Sequence, residues 1–338
     1  MKGRKIPVVV LAGFLGSGKT TLLNHLLANS LDVRIGVIVN DFGSIGIDAM
    51  LVGGQADAMV SLGNGCLCCE VGEGGVAALL DQLADADAEI DVIVVEASGI
   101  AEPGTLVQLV LSCENPRITF GGLVEVVDAA EVEDTRARHP ELDRHLALAD
   151  LLVLNKIDRV DAAAHERALA LCRRVNDRAP VVSTRHGVVD PRLLFDIRTV
   201  AGRQLMLGQA RDHHDDGDHA GHLHAGYESV EFVTDEPLDP RRFVEFLDSR
   251  PGGVYRIKGF VHFGDSRYRQ RFTLHAVGRY LRFDRSGWRR GEPRRTQLVL
   301  IGSGVEPARL VAALRACVRT GPADPDAMLA VLRYSFEG

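Results

Sequence analysis

Residues 13–20 read "GFLGSGKT", and the fold follows from what that octet requires on either side. It fits G-x-x-x-x-G-K-[ST], which carries meaning only between a strand and a helix. Residues 6–12, "IPVVVLA", are a continuous apolar, β-branched run of the kind buried on both faces of a sheet. After the octet, "KTTLLNHLLANS" places Leu22, Leu23, Leu26 and Leu27 at helical spacing. In that context Gly13, Gly16 and Gly18 let the backbone wrap a phosphate group, with amide N–H groups aimed inward at a helix N-terminus. Lys19 is expected at the β- and γ-phosphates and the Thr20 hydroxyl on Mg²⁺, with Ser17 and Thr21 completing the loop. The bland alternative is an ordinary glycine-rich turn.

Outward from the octet the same alternation repeats. "VRIGVIVN" (33–40), "IDVIVVEAS" (90–98), "GGLVEVVDA" (121–129) and "LLVLNKID" (151–158) are buried-strand candidates. Helical stretches such as "EGGVAALLDQLAD" and "DAAAHERALALCRRVN" lie between several of them. This predicts an α/β P-loop NTPase domain with a mainly parallel sheet over residues 1–200. Residues 201–226 have no period and are rich in Gly, His and Asp, which reads as a linker. Residues 227–338 form a smaller α+β domain. Its strands are "YESVEFVT", "VYRIKGFVHF", "RFTLHAV", "RYLRFDR" and "TQLVLIG", with helices "DPRRFVEFLDSR", capped by Asp239, and "EPARLVAALRACV".

The choice of nucleotide rests on "VLNKID". At a strand end, the Asp158 carboxylate can accept from guanine N1–H and N2–H₂, a pair of donors that adenine lacks. Asn155 and Lys156 complete N-K-x-D, and Ser183 in "VVST" is placed for a backbone contact to guanine O6. The chain has 34 Arg but only 5 Lys, so a retained Lys such as Lys19 or Lys156 points to a specific role. Glu96, closing "VIVVE", is expected to hold Mg²⁺ through water. Gly99 is placed to approach the γ-phosphate, and Asp41 in "VNDFGSIGID" to sit in a first switch loop.

"GNGCLCC" (63–69) places Cys66, Cys68 and Cys69 on a glycine-flanked loop. Three thiolates suit Zn²⁺, Co²⁺ or Cu(I), and an open fourth position suits transfer rather than permanent structure. Water, Asp41, a histidine or another protein's group could fill it. A redox pair or packing cysteines remain the alternatives. His213, His214, His219, His222 and His224, interleaved with aspartates, suggest loose collection of ions, against a solvated spacer. Cys113, Cys172 and Cys317 stand singly in apolar or helical contexts and are read as buried.

The formal charge of −7 gives no reason to expect nucleic acid, and the N-terminal apolar run is too short for a bilayer. A cytoplasmic protein with reduced cysteines is expected.

Together these residues resemble the CobW-like GTPases, relatives of the hydrogenase and urease nickel-insertion GTPases. The resemblance rests on "GFLGSGKTTLLNHLL", "GVIVNDFGSIGID", "GNGCLCC", "VIVVEASGIAEP", "VLNKID", the His-rich linker, "YRIKGFVHF" and "LVLIG". It implies a metallochaperone that binds GTP·Mg²⁺, loads Zn²⁺ or Co²⁺ at the cysteines and releases it to a client metalloprotein or metal-cofactor enzyme on hydrolysis, with Lys19, Thr20 and Glu96 as the catalytic groups. A homodimer is a further possibility. Cobalt handling for cobalamin synthesis and a zinc buffer without an obligatory client are the alternatives within it. Where the family has Asn-Glu-Phe-Gly-Glu, this chain has Asn40-Asp41-Phe42-Gly43-Ser44, one carboxylate shortened and one lost. An RNA-binding GTPase is a rival because residues 241–295 carry 15 Lys/Arg against 5 Asp/Glu. Those basic residues mostly alternate with apolar ones, as on a solvated sheet face.

Overall fold

The computed structural model describes residues 5–29, 33–40, 58–62, 73–85, 89–99, 101–195 and 227–335, except 289, 323 and 325. They fall into two compact units that divide between residue 195 and Tyr227.

The first unit runs β1 (Ile6–Gly13), α1 (Lys19–Ala28), β2 (Ile35–Asn40), β3 (Ala58–Leu62), α2 (Glu73–Leu83), β4 (Val92–Glu96), α3 (Pro103–Leu111), β5 (Ile118–Asp128), α4 (Val132–Arg138), α5 (Leu142–Leu148), β6 (Leu151–Asn155), α6 (Ala162–Val175), β7 (Val181–Ser183) and α7 (Pro191–Leu194). Its seven strands lie in the order β3-β2-β4-β1-β5-β6-β7, and every pairing is parallel. All residues of β4 and β6 are buried, which is why these strands read as unbroken apolar runs. The adjacent glycines of "FGGLVEVVD" mark a register shift between Val8 and Val9 of β1. A side chain at Gly121 would lie 3.0 Å from the Val8 carbonyl carbon, so close strand approach there requires glycine.

The chain crosses from one side of β1 to the other between β4 and β5, so the switch point of the sheet lies at β1. Gly13, Glu96, Asp128, Asn155 and Ser183 are the last residues of β1, β4, β5, β6 and β7. The parallel sheet thus delivers five candidate groups to one edge.

The second unit contains β8 (Glu228–Thr234), α8 (Pro240–Ser249), β9 (Val254–Val261), β10 (Arg271–Val277), β11 (Tyr280–Ser286), β12 (Thr296–Gly302), α9 (Pro307–Ala316) and α10 (Leu329–Leu332). Its five-stranded antiparallel sheet, in the order β11-β10-β9-β12-β8, buries Phe272, Leu274, Phe283, Leu298 and Leu300 against Phe243, Leu247, Leu310 and Leu314 of α8 and α9. Asp239 caps α8, its carboxylate accepting from the Arg242 amide at 3.0 Å. The arginines of the opposite sheet face are paired: Arg271 with Glu292 at 3.0 Å and Arg282 with Asp284 at 3.1 Å. These pairs offset part of the excess positive charge on a face that is half-buried rather than fully solvated.

The elements of the first unit that the sequence expectations did not name include β3, α3, α4, α5 and α7. Asp150, just ahead of β6, accepts from the Leu123 amide at 2.9 Å, beside the point where the pairing of β5 with β6 begins at Val124 and Leu151. No helix among the described residues is long and apolar enough to cross a membrane.

Candidate nucleotide-binding site

The loop between β1 and α1 depends on backbone that only glycine adopts readily. Gly13, Gly16 and Gly18 have φ of 148°, 77° and 104°. A side chain at Gly13 would strike the Val126 carbonyl oxygen, and one at Gly18 the Asn155 amide. Gly18 caps α1 in the left-handed conformation, and no acidic residue occupies the first turn. The helix therefore presents its positive end and its unpaired N–H groups without an internal anion. Ser17 is buried, Thr20 is half-buried and Thr21 is exposed.

Lys19 is 8% exposed and donates to the carbonyl of Gly13 at 3.0 Å and to that of Phe14 at 3.4 Å. Its ammonium is thus folded onto the loop it would share with a phosphate. The Thr20 hydroxyl donates to Glu96 Oε1 at 2.7 Å across 76 residues of sequence. A hydroxyl and a buried carboxylate side by side at a helix N-terminus form the donor set that Mg²⁺ takes beside nucleotide phosphates. The residues present fit the ion. Gly99, expected near the γ-phosphate, packs against the loop: a side chain there would lie 2.8 Å from Leu15 Cα.

The N-K-x-D turn is tied to this loop. Asn155 donates to the Ser17 carbonyl at 3.0 Å and accepts from the Gly187 amide at 3.0 Å. Lys156 adopts φ 59° and donates to the Gly16 carbonyl at 2.5 Å and to Asp128 Oδ2 at 2.7 Å. These bonds make β6 a clamp on the phosphate loop. Asp158 is exposed at the head of a 3₁₀ turn, Ile157–Arg159, with its carboxylate available to a base. Ser183 Oγ meets His165 Nε2 at 2.8 Å, and the Ile157 amide donates to the Thr184 carbonyl at 3.2 Å, so the β7 loop and the N-K-x-D turn are mutually fixed. A cavity of about 370 Å³ opens beside the loop between Phe14, Gly16, Asp128, Arg138, Lys156 and Arg159.

Asp128 and Gly187 went unrecognised in the sequence. Asp128 holds Lys156, and Gly187, at φ 65°, sits where a side chain would lie 2.8 Å from the Leu22 amide nitrogen. An acid at the end of a buried run and a glycine after "STRH" were the available signals. Asp41, Cys66, Cys68, Cys69, His213, His214, His219, His222 and His224 lie outside the described residues. Among the described residues no group of three or more His, Cys, Asp or Glu side chains is arranged to hold a metal ion. Cys172 and Cys317 are buried, as expected, and burial pushes the Cys172 thiol up to about 12. Cys113 departs from the expectation by being only half-buried, because it stands just beyond the end of α3.

Residues 7–183 match the CobW/HypB/UreG nucleotide-binding domain, and residues 227–318 match the C-terminal domain of the cobalamin synthesis protein cobW. This chain belongs to the CobW/HypB/UreG family of P-loop GTPases. It is similar to the zinc chaperone CobW of Sinorhizobium sp, 30% identical with 93% of this chain and 98% of that one covered. It is also similar to the zinc chaperone YjiA of Escherichia coli, 30% identical with 86% and 84% covered. The solved structure of Zn(II)-bound YjiA GTPase from E. coli matches over 94% of this chain and 100% of that one, at 24% identity and a TM-score of 0.45.

One group of the domain is out of keeping with a family of apolar strands. Glu125, in the middle of β5, has no exposed surface. Among the described residues neither of its carboxyl oxygens has a hydrogen-bond partner. Burial raises its pKa to about 8, with the charge of Lys19 opposing and that of Glu102 adding to the rise. The folded chain therefore keeps a proton that the unfolded chain releases at ordinary carboxylate pH. Stability falls as pH climbs from that range to about 8 and levels off above it. The total loss is on the order of 5 kcal/mol. Glu125→Leu removes it. Urea midpoints measured from pH 5 to pH 9 should show the variant gaining on wild type up to about pH 8 and no further. A gap that does not change with pH contradicts this reading of the site.

Proposed function

We propose that this chain is a cytoplasmic, GTP-dependent metallochaperone whose cargo is zinc, loaded at Cys66, Cys68 and Cys69 and passed to a client metalloprotein. The observation that supports it most is the Thr20–Glu96 pairing at 2.7 Å beside the Lys19 loop, because it joins the two groups a nucleotide-coupled switch needs. In this reading Gly13, Gly16, Ser17, Gly18 and Thr21 cradle the phosphates through their amides. Lys19 leaves the Gly13 and Phe14 carbonyls to neutralise charge on the β- and γ-phosphates. Asn155 and Lys156 keep the loop shaped for them, and Ser183 offers its backbone to guanine O6. When held by Thr20 and, through water, by Glu96, Mg²⁺ supplies further neutralisation of the phosphate charge that grows during transfer.

Coupling to the cargo follows from chain order. The cysteine loop lies between Asp41 and Glu96 in sequence, so segments ordered by the γ-phosphate flank the thiolates. GTP assembles the site and hydrolysis loosens it. Asp41 and the linker histidines, His213, His214, His219, His222 and His224, complete or feed it. The names of the similar proteins support zinc as the cargo; cobalt is the second choice. No nucleic acid or membrane enters the cycle, and a second copy of the chain is an allowed partner. Unassisted turnover is on the order of 10⁻³ s⁻¹ or less.

Guanine selection tests the nucleotide half. Asp158→Ala removes an acceptor for two donors, each charge-assisted bond contributing about 1.5–3 kcal/mol. GTP affinity should drop by about 10²-fold or more, while ATP affinity stays as weak as before. Equal loss for both nucleotides, or no loss, places base recognition elsewhere.

A further inference from the structure

Glu125 is a fully buried carboxyl whose partners on the two neighbouring strands, Ala12 and Leu152, are apolar. It pairs in register with Ala12, the residue before Gly13 opens the phosphate loop. An apolar side chain of similar length would satisfy packing without leaving two oxygens bare. Among the described residues, two charged groups act on it, Lys19 and Glu102. Lys19 comes from α1, and Glu102, the N-cap of α3, comes from the segment that follows Glu96. Glu102 is itself held from α5, with His145 Nε2 at 3.3 Å and the Arg144 guanidinium at 3.6 Å. At the end of the same strand, Asp128 is occupied by Lys156 and Arg159. Lys19 is therefore the cation whose charge stabilises an ionised Glu125, and it is the same cation that the reading above gives to the nucleotide.

Those two demands compete. Phosphates arriving at Lys19 withdraw the charge that favours the Glu125 carboxylate and add negative charge nearby. The nucleotide-bound state prefers the neutral carboxyl more strongly than the empty one does. We propose that Glu125 is a proton-linked positioning residue of the phosphate site: neutral, it leaves Lys19 to the nucleotide, and ionised, it holds Lys19 back and repels the phosphates. On binding from the ionised form, one proton passes from solvent to a Glu125 oxygen, and it returns to solvent when the nucleotide leaves. Glu102 couples the equilibrium to the chain segment after Glu96, because any change in that segment alters the negative charge beside Glu125. The proposal rests on the nucleotide reading above.

The test uses the full chain, with a non-hydrolysable GTP analogue plus Mg²⁺ and, separately, GDP, titrated from about pH 6.5 to 9.5. Dividing the wild-type dissociation constant by that of Glu125→Gln cancels the titration of the nucleotide and of every other group. The ratio should be flat below about pH 7.5 and rise by up to about tenfold by pH 9. Calorimetry at pH 8 in buffers of different protonation enthalpy should show wild type taking up roughly half a proton per nucleotide more than the variant. If Glu125→Gln fails to fold, Glu125→Leu replaces it, and the wild-type proton uptake stands as a separate readout. A pH-independent ratio with no extra proton uptake overturns the proposal while leaving the nucleotide site intact. Absence of guanine nucleotide binding at every pH overturns the nucleotide reading, and the proposal with it.

Discussion

Lys19→Ala should slow GTP hydrolysis about 10²–10³-fold, the loss found when one preorganised charge donor is taken from a transition state. The reason lies in what the lysine touches. Its ammonium donates to the Gly13 and Phe14 carbonyls at 3.0 and 3.4 Å, so it is held within the loop rather than swung into solvent. A group already confined there gives up little freedom when it turns to a phosphate oxygen. Removing it leaves the charge that develops on the transferred group to the α1 terminus and to the Mg²⁺ that Thr20 and Glu96 would hold. The loop itself should survive, because Asn155 and Lys156 hold it independently through the Ser17 and Gly16 carbonyls. Single-turnover hydrolysis measured beside circular dichroism checks both halves. A variant that is folded and hydrolyses within twofold of wild type contradicts the role given to Lys19.

The second large effect concerns the cargo. Replacing Cys66, Cys68 and Cys69 together with Ser should lower zinc affinity by about 10⁴-fold or more, since a full tetrahedral thiolate-rich site contributes about 10–16 kcal/mol and this change removes most of its ligands. GTP hydrolysis should change little, because none of the three belongs to the phosphate loop or the N-K-x-D turn. Competition against a chromophoric chelator reads the affinity. If the triple variant still binds zinc tightly, the ion is held elsewhere, and the histidines of residues 201–226 become the place to look. That result would favour storage over delivery. Cys172 does not substitute for the loop: burial keeps its thiol protonated, with the pKa pushed up to about 12.

Much of the nucleotide site was readable from residue types because its chemistry is carried by backbone. Three glycines with positive φ, a lysine and a hydroxyl in fixed order form one loop wherever a strand meets a helix, so "GFLGSGKT" specified its own geometry. Asp239 was similarly legible as a helix start, its carboxylate accepting the amide three residues on. Strand order was not legible in the same way. Asp128 meets Lys156, and Gly187 meets Asn155, only because β5, β6 and β7 lie side by side, a fact of long-range pairing. The short strand β3, "AMVSL", lacks the continuous β-branched run of its neighbours, and α4 and α5 span two turns each, too short for a helical period to stand out. Glu125 was visible as an acid inside "GGLVEVVDA". Its meaning required knowing that no described group donates to it.

One coupling decides the proposed cycle: ion affinity at the cysteine loop must follow the state of the nucleotide. The direct measurement is a Zn²⁺ competition titration, repeated with Co²⁺, on the full chain loaded with a non-hydrolysable GTP analogue and then with GDP. Affinity in the GTP-analogue form should exceed that in the GDP form by about 5–150-fold, the usual range of coupling between linked sites. By reciprocity the ion should tighten the GTP analogue by the same factor. Equal zinc affinity in both nucleotide forms contradicts the account.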